Sequence, residues 1–137
     1  AIEEDLDSNL TGPYQFPDPR RRLVSAGIYL ATAVVVAVVV HPLPAVGVLA
    51  LAAWHALGAW SLKIDQTRAL DAAAAAIDFS VGHASAAVGF HGLRARPRWS
   101  VILYSAAEPP DRRALVTVDG VSGIILADPF VEEIPGL

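Results

Sequence analysis

The side chains able to do chemistry in this chain are few and far apart. Its 137 residues hold four histidines (His41, His55, His83 and His91) and no cysteine. The missing cysteine removes disulfides, thiolate metal sites, iron–sulfur ligation and a cysteine nucleophile together. His83 and His91 are eight residues apart, roughly 80° from each other around an ideal helix, with no matching acid, Cys or third His to complete a metal site. Gly82-His83-Ala84-Ser85-Ala86 has the outline of a serine elbow, without its second glycine or a strand-turn-helix setting. A phosphate loop with lysine and a dinucleotide fingerprint are both missing. His55 stands in an apolar run, where an ionisable group serves as a proton relay or haem ligand, or stays neutral and hydrogen-bonded to a neighbouring helix. One histidine with no acid nearby favours the neutral reading. The expectation is a protein that is not an enzyme and carries no cofactor.

What remains suits contact rather than catalysis. Tyr14 and Phe16 lie among Pro13, Pro17 and Pro19, which forbid a helix and favour a stiff, extended arm able to anchor aromatic side chains on a partner. The alternative is a disordered tail. Glu3, Glu4, Asp5 and Asp7 precede that arm and suit a basic protein surface better than anionic lipid. Trp54 and His55 are candidate contacts within an apolar run. Arg94, Arg96 and Arg98 alternate before Trp99, so on a strand they would share one face. Such a stripe suits anionic lipid or an acidic partner, or simply guards a strand edge. The net charge of −4 is concentrated in the N-terminal acids, and no basic surface large enough for nucleic acid is visible.

The elements that position these residues follow from hydropathy. Hydrophobic residues make up 54% of the chain, above the usual about 45–50% of soluble domains. The excess sits in two 18-residue runs, 23–40 and 45–62, neither containing Asp, Glu, Lys or Arg. As helices each would reach roughly 27 Å, close to a ~30 Å hydrocarbon core. Only His41-Pro42-Leu43-Pro44 joins them, so they read as antiparallel neighbours. The first run is too long for a cleaved signal's apolar region and lies behind 19 residues and three arginines, which favours a retained anchor. Arg20, Arg21 and Arg22 before the first run and Lys63 and Arg68 after the second place both termini in the cytoplasm. Gly27/Ala31, Ala33/Ala37 and Ala52/Ala56 follow the small-x-x-x-small spacing of closely packed membrane helices.

Beyond Leu62 charges return, and an alanine-rich stretch predicts that the second helix continues to about Ile77. Residues 80–92 are ambiguous, with Ser80 and Gly92 placed as caps of a second short helix. Three strands are expected at 99–104, 114–118 and 124–126, the last two joined by a turn at 119–123 and the last ended by Pro129. The expected fold is thus a plasma-membrane protein with a two-helix transmembrane hairpin and a small C-terminal cytoplasmic α+β domain, a helix plus a three-stranded antiparallel meander. Its parts are an arm (1–22), the hairpin (23–62) and the domain (63–137).

Two resemblances accompany this reading. Val118-Asp119-Gly120-Val121-Ser122-Gly123-Ile124-Ile125-Leu126 resembles the last hairpin of PepSY-type, cystatin-like modules, with Gly120 in place of the usual Ala and Ser122 in place of the usual Thr. That likeness implies an interaction fold without catalytic residues. The whole layout, an acidic arm with Leu10-Thr11-Gly12-Pro13-Tyr14, a basic stop, a Val/Ala-rich hairpin and a small α+β end, is similar to small actinobacterial membrane proteins. Among these is an accessory subunit of the mycobacterial cytochrome bcc–cytochrome oxidase supercomplex. It implies an assembly role beside larger redox subunits, with no redox centre in this chain. The alternative function is a membrane-anchored regulator whose cytoplasmic domain binds a soluble protein or small ligand.

Overall fold

The structure, a computed structural model, describes Phe16 and residues 18–135. The acidic head and Tyr14 lie outside the described residues. A 3-10 turn, Pro19–Arg21, leads into α1, Arg22–Val39, which is followed by α2, Pro42–Leu57. Asp18 accepts a hydrogen bond from the Arg20 N–H at 2.9 Å and starts the turn. The link between the helices is tighter than expected. His41 caps α2, its Nδ1 accepting from the Leu43 N–H at 3.1 Å, and Pro42 and Pro44 fall inside the first helical turn. Proline is tolerated there because the first helical N–H groups have no intrahelical partner.

The two helices meet along alanines. Ala26 and Ala33 of α1 and Ala45 and Ala52 of α2 are buried, spaced seven residues apart on each helix. Of the small-residue pairs expected at the contact, Ala33 and Ala52 lie in it and Ala37 is half-buried, whereas Gly27 has open space around it and Ala31 and Ala56 are exposed. The branched side chains point outward, with Val38 81% exposed. One helical stretch, Pro19–Val39, is long and apolar enough to cross a membrane, and 6% of its apolar window is buried. That exposure sets it apart from the core helix of a soluble protein. α2 is as apolar but shorter.

The second helix does not run on to Ile77. It ends at Leu57, residues 58–65 cross to the next unit, and α3, Gln66–Ala75, starts afresh. Asp65 caps it, accepting from the Arg68 N–H at 2.8 Å. Four strands follow: β1 (Val81–His91), β2 (Arg96–Ser105), β3 (Arg112–Asp119) and β4 (Phe130–Glu133). They form one antiparallel sheet in sequence order. The expected three-stranded meander is therefore a four-stranded one. Residues 81–91 pair with β2, with one irregularity at Gly82, instead of forming a short helix. The expected strand at 124–126 shrinks to one bridge, Val118 to Ile125, and β4 forms beyond Pro129, where the strands were expected to stop.

Strand alternation builds a one-sided core. Trp99, Val101 and Leu103 of β2 and Ala114, Val116 and Val118 of β3 face α3 and are fully buried. Ala69 and Ala73 of α3 have no exposed surface. Alanine at both contacts lets the helix lie close to the sheet, against the large Trp99. Phe79 closes the cluster.

Gly120 ties the 58–65 crossing to this core. Its carbonyl accepts from the Lys63 and Ile64 N–H groups at 3.1 and 3.0 Å, and its N–H donates to the Pro97 carbonyl at 3.0 Å. A Cβ here would lie 2.9 Å from the Pro97 oxygen and 3.0 Å from Leu62 Cδ1. Overpacking of this kind costs about 1–3 kcal/mol. Gly120→Ala should therefore lower the thermal midpoint by several degrees in a calorimetric or circular-dichroism melt, while Gly27→Ala, with open space around it, should not.

Candidate interaction surface at the helix–sheet junction

The β1–β2 turn, residues 92–95, lies against the last turn of α2 and is held by three long-range hydrogen bonds. The Trp54 indole N–H donates to the Leu93 carbonyl at 2.7 Å. The Trp60 indole N–H donates to the Arg94 carbonyl at 2.9 Å. The Arg94 Nε donates in the other direction, to the Leu57 carbonyl at 2.9 Å. Leu57 is the last residue of α2, so this cation satisfies a carbonyl the helix cannot and sits at the negative end of its dipole. The turn folds this tightly because Gly92 adopts φ 78°, a left-handed conformation that glycine takes without steric cost.

Two guanidinium groups stack on the Trp60 ring, Arg94 at 4.4 Å and Arg96 at 4.6 Å from its centroid. Arg96 also pairs with Asp119 at 2.8 Å. Asp119 accepts from the Val121 and Ser122 N–H groups at 2.7 and 3.2 Å, closing the turn that carries Gly120. Gly58 completes the junction from the α1 side, since a Cβ there would meet Arg22 Nη1 at 2.6 Å. The start of α1, the end of α2 and two turns of the sheet converge on this one spot.

The expected contact residues separate into distinct roles. Arg94 and Arg96 belong to the junction, one in the turn and one on β2, and their side chains are engaged within the chain rather than free as a stripe. Arg98 lies on the sheet face opposite α3, and its Nε is buried with no hydrogen-bond partner among the described residues. Trp54 bonds the turn. His55 lies in the last turn of α2, which ends at Leu57. Its Nδ1 is 2.9 Å from the Leu51 carbonyl, and its ring is 4.9 Å from Tyr29 on α1. The hydrogen bond stays within α2, and only the ring contact with Tyr29 reaches α1. Phe16, expected to anchor on a partner, meets the buried Trp99 edge-on at 4.7 Å between ring centroids.

His83 and His91 are at opposite ends of β1. Eight residues of strand separate them by roughly 26 Å, too far for one ion. Among the described residues no group of three or more potential ligands comes together. Trp60, Asp119 and Leu93 were missed as junction residues. An indole placed just beyond a helix end was the available sign for Trp60, whereas the Asp119 pairing depends on strand register and left no local trace.

The opposite sheet face carries an apolar groove of about 260 Å³ between Ile102, Leu115 and Phe130, bordered by the ion pair of Arg113 and Glu132.

No protein-family model, curated protein or solved structure matches this chain. Its function rests on its own residues.

Asp119 gives the junction a pH signature. Burial alone pushes its carboxyl up, but the Arg96 guanidinium and the two turn N–H groups outweigh burial and hold it below its usual value of 3.8. A carboxyl held lower in the folded state stabilises that state fully above the unfolded value, and this contribution disappears as pH falls through the folded one. Denaturant midpoints should be flat from neutral pH to about 5 and drop below about 4. Asp119→Asn should lower the neutral-pH stability by about 1–3 kcal/mol and make the acid decline shallower.

Proposed function

We propose that this chain is a non-catalytic accessory subunit of a larger membrane complex. Both helices cross the plasma membrane as a hairpin, and the sheet sits at its cytoplasmic end. The observation that carries this reading is the inverted hairpin, alanines at the contact between α1 and α2 and branched side chains outward. Such a surface needs lipid or apolar protein around it. Counted from Pro19, the first helix reaches roughly 31 Å, enough for the hydrocarbon core. α2 reaches roughly 24 Å as helix. The uncharged residues 58–62 extend its apolar stretch, with the Gly58 and Ala59 N–H groups bonded to the Trp54 and Ala56 carbonyls. Backbone that is not regular helix is tolerated at that depth when protein satisfies it. The arginines at 20–22, Lys63 and Arg68 favour the cytoplasm for the sheet.

A shallow groove runs along the hairpin over Ala26, Gly27, Ala52 and Ala56, small enough in relief for a partner helix to approach. The layout's similarity to small actinobacterial membrane proteins directs the search to respiratory cytochrome bcc–oxidase assemblies. A second reading, a free-standing regulator, is favoured by one observation, the groove between Ile102, Leu115 and Phe130, which is of a size for a small apolar ligand.

Extraction in a mild detergent with a C-terminal tag, followed by native electrophoresis and mass spectrometry, separates the two. An accessory subunit should migrate with larger membrane subunits in fixed ratio, and its deletion should lower the yield of the intact assembly. Migration as a monomer or small homo-oligomer would remove the accessory reading.

A further inference from the structure

We infer that the tip of the β1–β2 turn is a third membrane contact, with Leu93 dipping into the interfacial region of the bilayer beside the two helices. This rests on the membrane-hairpin reading above and adds a lipid-facing residue from the sheet. Leu93 is 89% exposed, more than any other large apolar residue described. An isolated exposed leucine is ordinary on a protein surface. This one is different because its depth is pinned. Trp54 precedes the end of α2 by three residues, or about 4.5 Å. A helical side chain leans toward the N-terminus of its helix, which for α2 is toward the membrane interior. The Trp54 indole nevertheless donates to the Leu93 carbonyl at 2.7 Å. The turn therefore reaches back along the last helical turn instead of standing off it.

The surroundings fit a lipid boundary. Trp54 is half-exposed, and Leu57 and Leu93 are exposed, so the end of α2 and the turn both present apolar surface. Indoles concentrate at the level of lipid headgroups. Arg20 and Arg21 are exposed at the start of α1, beside the Arg22 that reaches Gly58. Cations at that level face anionic headgroups. The junction fixes the sheet on the end of the hairpin, so the depth of the helices sets the depth of Leu93.

Because the chain has no cysteine, single-cysteine variants need no background removed. Leu93→Cys, Val35→Cys in α1 and Ala107→Cys in the β2–β3 loop, all at exposed positions, would each carry an environment-sensitive fluorophore. The full chain would be reconstituted alone in phosphatidylcholine–phosphatidylglycerol vesicles. Quenching by iodide in water and by shallow or deep spin-labelled lipid then reports depth. The expected result is a Leu93 label quenched several-fold more by shallow spin-labelled lipid than the Ala107 label and shielded from iodide, with the Val35 label quenched by deep lipid. A Leu93 label as open to iodide as Ala107, with Val35 still in lipid, would overturn the interfacial contact and leave the hairpin standing. Shielding of Leu93 from both quenchers would also overturn it, in favour of a protein contact. A Val35 label open to iodide would remove the membrane hairpin and the contact with it.

Discussion

A chain leaving the end of a helix must find donors for carbonyls the helix no longer serves. At the end of α2 these come from the sheet, with Arg94 donating to Leu57 while the Trp54 and Trp60 indoles donate to the carbonyls of the facing turn. Each side supplies what the other lacks. A single such bond contributes about 0.5–1.5 kcal/mol net in water. All three are exposed, so each forms in competition with water and they act together. Reciprocity at this site therefore holds two otherwise separate units, a helical pair and a sheet, in one geometry.

The rest of the molecule follows from that geometry. Residues 58–65 are a short bridge with little slack, so the sheet must come close, and Gly120 stands where the Pro97 carbonyl leaves no room for a Cβ, while Gly58 lies against the Arg22 guanidinium. Trp99 converts the bridge into part of the core, its indole N–H donating to the Ile64 carbonyl at 2.9 Å while its ring receives Phe16. The arm, the bridge and the sheet thus meet around one buried indole. Asp119 serves the same arrangement by holding Arg96 across the strand end and closing the turn that presents Gly120.

How far this was legible in the sequence depends on where each element draws its stability. α1 could be read directly, since an uncharged run of that length admits little but helix. The end of α2 was misplaced because hydropathy counts apolar residues, and residues 58–62 are apolar without being helical. Gly58 was the sign that the helix stops. β1 was misread because Gly, Ala and His have weak strand preference, and Ser80 and Gly92 resemble helix caps. Its strand character comes from pairing with β2, a non-local interaction invisible along the chain. The strand at 124–126 failed for the opposite reason, since β-branched residues followed by Pro129 suggested a strand that the sheet completes with Phe130–Glu133 instead. The arginine stripe shows the same limit. Alternation on a strand correctly gave Arg96 and Arg98 one face, but Arg94 falls in the turn, and cation–aromatic and helix-end contacts absorb what looked like free charge.

The alanine seam explains why the junction is needed at all. Four buried alanines bring α1 and α2 close but remove little apolar area from their surroundings, so the two helices are held weakly by each other. The tight link at His41 closes one end of the pair. At the other end α1 and α2 would be free to splay, and it is there that Arg22 packs on Gly58 and the sheet's turn binds Leu57, Trp54 and Trp60. The junction is a clasp on the open end of a hairpin whose branched side chains face outward. Helices aligned by such a clasp lose less freedom when anything packs against them, because the ordering is done within the chain.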